Sequence, residues 1–181
     1  MTASDREPPP QCLVRPAVPE DGPAMAEVHV AAWRATYAGI MPEDYLAGLD
    51  VDRFAQNWTQ RIGARSEDAR HLVAEVTGRV VGIGSVGTPR DEMPEGVGEL
   101  VQINLHPDAW GRGYGTTLHY AQLEELAAMG YESAYLWVAE GNGRARAFYR
   151  ARGWSEDGGV KIDDHWDPPV RELRYVRPLA R

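Results

Sequence analysis

A glycine-dense run at residues 110–116, Trp-Gly-Arg-Gly-Tyr-Gly-Thr, has the composition of an anion-binding loop. It follows a predicted strand and opens a predicted helix, so its backbone N–H groups would lie unpaired at the positive end of the helix dipole. Arg112 adds a charged donor beside them. The spacing alone fits a plain strand-to-helix connection equally well. Phosphate or pyrophosphate binding is therefore one of two interpretations, and the rest of the chain must decide between them.

The elements around this run alternate between strand and helix. Residues 99–105 predict a strand, and residues 114–129 predict an amphipathic helix. The apolar run Ser133–Ala139 is typical of a strand that is buried on both faces. Together these segments predict a βαβ unit whose two strands are parallel and adjacent. A second helix is predicted to begin after Asn142, because asparagine caps helix N-termini well.

The remaining segments predict mostly antiparallel structure. Residues 72–86 predict a β-hairpin that turns at Thr77-Gly78, and residues 170–176 predict a closing strand. Residues 155–169 are rich in Asp and Gly and predict a loop. The segments before the hairpin are a short strand at 13–15, a helix that starts at Pro19, and a helix that starts at Pro42 and continues to Gly63.

The composition indicates one ordinary globular domain. The chain has 181 residues, of which 43% are hydrophobic and 25% are charged, and no apolar stretch approaches the length of a membrane span. We expect one domain at 12–181, preceded by a disordered, proline-rich segment at 1–11. The single cysteine, Cys12, and an N-terminus that lacks signal-peptide features favour a cytoplasmic location.

The charge balance limits the classes of partner. A net charge of −8 argues against nucleic-acid binding, which needs a basic surface, and it is compatible with a small cationic substrate. No membrane partner is expected. The five histidines show no ligand-like spacing with Cys, Asp or Glu, so no metal site is expected either.

Two linked motifs resemble those of the acyl-CoA-dependent N-acyltransferases of the GNAT superfamily. The first is Ile-Asn-Leu-His-Pro at 103–107 followed by Gly-Arg-Gly-Tyr-Gly at 111–115, similar to that family's strand end and pyrophosphate loop. The second, at 140–154, is similar to its Asn, Ala, Phe-Tyr, Gly-aromatic signature. The likeness covers nearly the whole chain, with one departure: Trp110 stands where the family usually has Gln or Arg. Because most phosphate contacts of such a loop come from backbone N–H groups, cofactor binding is expected to survive this change.

The resemblance implies an α+β fold of the GNAT type. It is an α/β/α sandwich with a mixed, mostly antiparallel central sheet, in which the one parallel strand pair splays around the pantetheine arm of acetyl-CoA. A bulge in the first splayed strand would free N–H groups for that arm, although the sequence does not locate it. The residues implied for the cofactor are Ile103, Asn104 and Leu105 at the pantetheine, Gly111, Arg112, Gly113, Tyr114, Gly115 and Thr116 at the pyrophosphate, and Asn142 and Tyr149 near the pantetheine arm and the sulfur.

The implied activity is transfer of an acetyl group from acetyl-CoA to a primary amine, by direct attack in a ternary complex. An alkylammonium has a pKa of about 10, so it must first lose a proton to a base. Glu99 is the predicted base, and the phenol of Tyr149 is the predicted proton donor to the leaving thiolate. The acceptor could be a small amine, an amino acid, an antibiotic or a protein amino group. Its pocket is predicted to be walled by Trp33 and Tyr37, with His29 on the same helix face, opposite Asp163, Asp164, His165 and Trp166.

Two other classes compete with this interpretation. A dinucleotide-binding oxidoreductase is disfavoured, because the glycine spacing is not Gly-x-Gly-x-x-Gly and an antiparallel hairpin precedes the loop. A non-catalytic acyl-CoA-binding sensor or structural module of the same fold stays open, although Tyr149 favours an enzyme. The sequence allows either a monomer or a homodimer.

Overall fold

The computed structural model describes residues 11–164 and 167–179, and its strands form one seven-stranded sheet. The strands are β1 (Cys12–Pro16), β2 (Ala69–Val76), β3 (Arg79–Gly87), β4 (Val97–Leu105), β5 (Ser133–Ala139), β6 (Ser155–Asp163) and β7 (Val170–Pro178). Their order is β1-β2-β3-β4-β5-β7-β6. The β4–β5 pair is parallel and the other neighbouring pairs are antiparallel, which confirms the predicted mixed sheet.

Helices cover both faces of this sheet. Within the described ranges they are α1 (Gly22–Thr36), α2 (Glu43–Ala47), α3 (Val51–Gly63), α4 (Tyr114–Ala128) and α5 (Gly143–Arg150). Because successive strand residues face opposite sides, Val73 packs against α1 and α3, whereas Leu72 packs against α4. The core cluster that contains Tyr149 of α5 also contains Leu126 of α4, so both helices lie on one side. The predicted α/β/α sandwich is confirmed. No helix in the described part of the chain combines the length and apolarity that crossing a membrane requires.

The single helix predicted from Pro42 to Gly63 is wrong, because the chain leaves the helical path at Gly48 and forms two helices. The carboxylate of Asp50 begins the second one: its Oδ1 accepts hydrogen bonds from the N–H groups of Asp52 at 2.9 Å and Arg53 at 3.2 Å. This is the usual way in which an aspartate satisfies the unpaired donors of a first helical turn. The apolar residues keep a helix-like spacing across the break. The sequence pattern therefore did not reveal that the helix is interrupted.

The loop predicted for residues 155–169 is also wrong in its first part, where β6 forms an edge strand. This strand pairs with β7 through a register shift between Glu156 and Val160, where Gly158 has a φ of 88°. An edge strand pairs on one side only, so it tolerates the Asp and Gly residues that resembled a loop. Of the other predicted segments, His165, Trp166 and residues 1–10 lie outside the described residues.

The parallel strands separate soon after they meet. Three residue pairs join β4 to β5, from Val97 opposite Ser133 to Glu99 opposite Tyr135. On its other edge β4 has a register shift: Ser85 lies opposite Gln102, but Val86 lies opposite Leu100. Val101 is therefore the extra residue of a β-bulge. The predicted splay is confirmed, and the bulge lies beside the place where the gap opens.

Candidate active site

A cavity of about 1030 Å³ occupies the gap between the splayed strands and extends from the glycine loop to the C-terminal part of α1. It brings together most of the residues that the sequence singled out. Arg112 and Glu99 do not line it. The predicted residues along its wall are Trp33, Tyr37, Ile103, Asn104, Leu105, Gly111, Gly113, Tyr114, Gly115, Thr116, Asn142 and Tyr149.

The glycine loop turns through left-handed backbone conformations that present its N–H groups. Gly111 has a φ of 73° and Gly113 a φ of 86°, and any other residue would be strained at either place. The first helical N–H with a backbone partner is that of Thr116, which donates to the Gly113 carbonyl at 2.9 Å. Within the described ranges, the N–H groups at 111–115 have no backbone acceptor. This is the donor set that an anion at a helix N-terminus requires.

Trp110 supports an arginine at the mouth of the cavity. Its indole Nε1 donates a hydrogen bond to the Leu105 carbonyl at 2.9 Å, which fixes the ring at the end of β4. The guanidinium of Arg144, from the first turn of α5, lies 3.6 Å from the centroid of that ring. Partial burial lowers the pKa of Arg144, but an arginine keeps its charge at neutral pH. The sequence interpretation did not include Arg144.

A second arginine reaches the glycine loop from the turn that follows α5. Arg152 donates hydrogen bonds to the Thr116 hydroxyl and, at 2.8 Å, to the Phe148 carbonyl. Its guanidinium lies 3.6 Å from the Phe148 ring centroid, and its Nε is buried without a hydrogen-bond partner in the described residues. Arg144, Phe148 and Arg152 are spaced by four residues, with Arg144 and Phe148 on one face of α5 and Arg152 in the turn just after it. That spacing is the signal by which the two arginines could have been found in the sequence.

Tyr149 lies in α5, and Asn142 is the residue that caps the start of this helix. The Oδ1 of Asn142 accepts a hydrogen bond from the Ala145 N–H at 3.0 Å, which is the predicted helix cap. The Tyr149 ring is buried against Phe148, Trp154 and Tyr175. Burial, and then the nearby Tyr37, raise the pKa of the Tyr149 phenol above its usual value of 10. The phenol therefore keeps its proton throughout the neutral range, as a proton donor must.

Glu99 is buried and paired with Arg90 from the β3–β4 loop. Its side chain is 1% exposed. Both of its carboxylate oxygens accept hydrogen bonds from the Arg90 Nε at 3.0 Å, and the Arg90 backbone N–H donates to one of them at 3.0 Å. The same loop is held at Asp91, whose carboxylate accepts from Tyr135 at 3.0 Å and from Trp137 at 2.7 Å. The Glu99 carboxylate would have to break its hydrogen bonds with Arg90 to reach the cavity.

The opposite end of the cavity has aromatic walls and mixed charges. The rings of Trp33 and Tyr37 lie 5.2 Å apart, and His29 stacks on Trp33 at 5.0 Å without lining the cavity itself. Burial, and then Glu172, raise the pKa of Tyr37 to about 12. Asp163 reaches this end and Asp164 does not, while His165 and Trp166 lie outside the described residues. The charged residues here are Arg61, Asp68, Arg90, Lys161, Asp163 and Glu172.

Comparison with known proteins agrees with this geometry. The profile of the acetyltransferase (GNAT) family matches residues 27–154. An uncharacterized N-acetyltransferase of Bacillus subtilis, YuaI, is 36% identical over 138 residues, which cover 76% of this chain and 77% of that protein. A mycothiol acetyltransferase of Mycobacteroides abscessus is 30% identical over 140 residues, but the match covers only 43% of that protein. The structure of the PaiA N-acetyltransferase of Thermoplasma acidophilum in complex with coenzyme A superposes with a TM-score of 0.75 over 93% of this chain and 99% of that one, at 20% identity.

The chain therefore belongs to the GNAT family of acetyltransferases. It is an acetyl-CoA-dependent N-acetyltransferase, which confirms the enzyme class predicted from the two linked motifs. The unpaired loop N–H groups, the buried unpartnered Nε of Arg152 and the size of the cavity suit a phosphate-bearing substrate with a long arm.

Proposed function

We propose that the protein joins acetyl-CoA and a primary amine in one cavity and transfers the acetyl group directly between them. The observation that carries this proposal is the continuity of the cavity, which is lined by the glycine loop at one end and by Trp33 and Tyr37 at the other. Direct transfer needs both substrates side by side in a common space. Cys12, the only cysteine of the chain, does not line the cavity, so no thiol is placed there to carry the acetyl group.

The cofactor end is proposed to bind acetyl-CoA through three groups of contacts. The N–H groups at 111–115 and the side chain of Arg112 would hold the pyrophosphate, with Arg144 and Arg152 adding positive charge. The β5-facing edge of β4, at residues 103–105, would pair with the pantetheine arm in place of a neighbouring strand, within reach of Asn142. The N–H group freed at the Val101 bulge would face the developing oxyanion.

Tyr149 is proposed to protonate the thiolate that leaves. Its phenol is protonated at neutral pH and it lines the cavity on the α5 side. Glu99 stays the base predicted from the sequence, and its pairing with Arg90 gives that role less support.

The acceptor is proposed to be a primary amine, without a preference for an additional positive charge. Three acidic residues line the acceptor end, but so do Arg61, Arg90 and Lys161. Lys161 is paired with Glu172 at 3.1 Å, so the charge of this acid is balanced within the cavity wall. The relative from Mycobacteroides abscessus is named a mycothiol acetyltransferase, so compounds related to mycothiol are candidates within the assay panel.

The test is thiol release from acetyl-CoA across a panel of amines, amino acids, aminoglycosides and peptides. Acceptor-dependent release with 1:1 formation of the acetylated product supports the proposal. Tight binding of acetyl-CoA without release for any acceptor would favour a sensor of the same fold. The cytoplasmic location and the choice between monomer and homodimer stay predictions from the sequence.

A further inference from the structure

Three polar side chains form a row across the middle of the sheet. His71 of β2 lies opposite Ser85 of β3, and Ser85 lies opposite Gln102 of β4. Residues that face each other across adjacent strands share one face of the sheet, so the three side chains lie side by side. The Ser85 Oγ is 2.9 Å from the His71 Nδ1 and accepts a hydrogen bond from the Gln102 Nε2 at 3.3 Å.

This row lines the acceptor end of the cavity. His71, Ser85 and Gln102 border it together with Trp58 and Arg61 of α3. Gln102 directly follows the bulge residue Val101, at the place where the strands separate. From the opposite face, the Gln122 side chain donates to the Ser85 and Gln102 carbonyls at 3.2 and 2.9 Å, which fixes the two strands relative to each other. The row is thus a preorganised polar wall beside the proposed pantetheine site at residues 103–105.

The hydrogen bonds of the row have a direction. The Gln102 amide donates to the Ser85 oxygen, so the Ser85 hydroxyl is free to donate to the His71 Nδ1. This arrangement leaves a second lone pair on the Ser85 oxygen for a donor in the cavity. Ser85 is 4% exposed, so this contact would form away from bulk water.

The surroundings keep His71 neutral. Burial, and then the positive charge of Arg61, lower its pKa below the usual 6.5. The groups around the imidazole are Arg61 and the edge of Trp58 from α3, Asp68 from the segment before β2, and the uncharged Ser85 and Gln102. Behind Trp58 lies His29 of α1, whose pKa burial lowers to about 4. The neutral imidazole accepts the Ser85 hydroxyl proton at Nδ1 in the tautomer that carries its own proton on Nε2.

We propose that His71, acting through the Ser85 hydroxyl, accepts the proton that the acceptor ammonium loses before attack. This inference rests on the proposed amine acetylation. The ammonium donates a proton to the Ser85 oxygen while Ser85 donates its own to the His71 Nδ1, and the imidazolium later releases it to solvent. The free amine forms the C–N bond. As the C–S bond breaks, Tyr149 protonates the sulfur and recovers a proton from the nitrogen of the adduct, so one proton is released for each acetyl group transferred.

The experiment compares two acceptors that differ in their need for a base. A primary alkylamine is almost entirely ammonium at pH 7, whereas an alkoxyamine is neutral there and needs no deprotonation before attack. The His71→Gln variant is expected to lose about 100-fold in rate with the alkylamine and to stay close to wild type with the alkoxyamine. Its alkylamine rate should climb with pH toward the amine pKa, whereas the wild-type rate should be flat across neutral pH.

The controls separate this role from a structural one. Ser85→Ala should reproduce the alkylamine-specific loss. The matched control Ser66→Ala, at an exposed position that does not line the cavity, should not. Equal loss with both acceptors in His71→Gln and Ser85→Ala, at unchanged acetyl-CoA affinity, would overturn the proposal. So would an alkylamine-specific loss in Glu99→Gln alone, which would make Glu99 the base. If wild type itself shows no amine-dependent thiol release, the proposed function fails before the question of the base arises.

Discussion

The guanidinium of Arg144 lies over the indole of Trp110, 3.6 Å from its ring centroid, and bridges the loop after β4 to the start of α5. The contact places a positive charge at the mouth of the cavity, next to the helix N-terminus that carries the unpaired N–H groups. Trp110 is the one position at which the sequence departs from the motif that it otherwise resembles. Here the charge comes from a different helix and the tryptophan supports it.

Replacing Arg144 with Gln is expected to weaken coenzyme A binding about fivefold, since a partly exposed ion pair contributes about 1 kcal/mol. Trp110→Ala should produce a similar loss by releasing the arginine, and Trp110→Phe a smaller one, because the phenyl ring preserves the cation–π contact. Calorimetric titration of each variant measures the effect. The matched control is Arg150→Gln, on the same helix but outside the cavity. If Arg144→Gln and wild type bound coenzyme A with equal affinity, Arg144 would have no role in cofactor binding.

Tyr149→Phe is expected to lower the transfer rate by about 100-fold or more and to leave coenzyme A affinity nearly unchanged. The phenyl ring keeps the packing with Trp154 and removes only the hydroxyl. Because burial raises the phenol pKa, the wild-type rate should not fall on the alkaline side until the pH exceeds the usual tyrosine value of 10. Single-turnover assays and pH profiles measure both effects. The exposed Tyr120 provides the control Tyr120→Phe, and a wild-type rate in Tyr149→Phe would remove the residue from the mechanism.

Arg90→Gln is expected to destabilise the fold by about 3 kcal/mol, because it leaves the buried carboxylate of Glu99 without its partner. The double variant Arg90→Gln with Glu99→Gln should recover most of this loss, since no buried charge is left unpaired. Urea unfolding of the single and double variants measures the difference. If the double variant were less stable than Arg90→Gln alone, the ion pair would not be what Glu99 contributes to stability.

Asp21 predicts a pH-dependent contribution to stability. Its carboxylate accepts hydrogen bonds from Arg15 at 2.7 and 2.9 Å and from the Val18 N–H at 2.8 Å. The Arg15 contacts lower the pKa of Asp21 below 3.8, so the stabilisation is complete above that pH and is lost as the pH falls through the lowered value.

Asp21→Asn should therefore cost about 2 kcal/mol at pH 7, and the difference from wild type should shrink as the pH drops below 3.8. Urea unfolding at a series of pH values measures this. The exposed Asp52 supplies the control Asp52→Asn. A stability difference that is independent of pH would mean that the charge of Asp21 is not what the fold uses.

The sequence predicted those parts of the fold that depend on neighbours along the chain. The β4–α4–β5 unit, the cap at Asn142 and the glycine loop have local signals in periodicity, capping and turn residues. The edge strand β6 lacked such a signal, because a strand with one partner tolerates residues that also suit loops. The division between α2 and α3 was concealed by apolar spacing that continues across Asp50.

Most residues that the sequence assigned to the cofactor line the cavity, whereas the opposite end of the cavity has few local signals in the sequence. The row of His71, Ser85 and Gln102 exists because three strands meet in one register, and that register passes through the bulge at Val101. A shift of one residue would turn Gln102 to the other face. The pairing of Glu99 with Arg90 likewise depends on where a loop folds back, which spacing along the chain does not encode.

The short pairing between β4 and β5 affects the stability of the whole sheet. Three residue pairs join a half-sheet of β1 to β4 to a half-sheet of β5, β7 and β6. The main-chain groups beyond Glu99 on that edge of β4 have the geometry of a strand whose neighbour has moved away. A molecule that pairs with them completes the sheet, and its binding free energy adds to the stability of the fold. Acetyl-CoA would then act as a removable eighth strand, and the melting temperature of the enzyme would rise with its concentration.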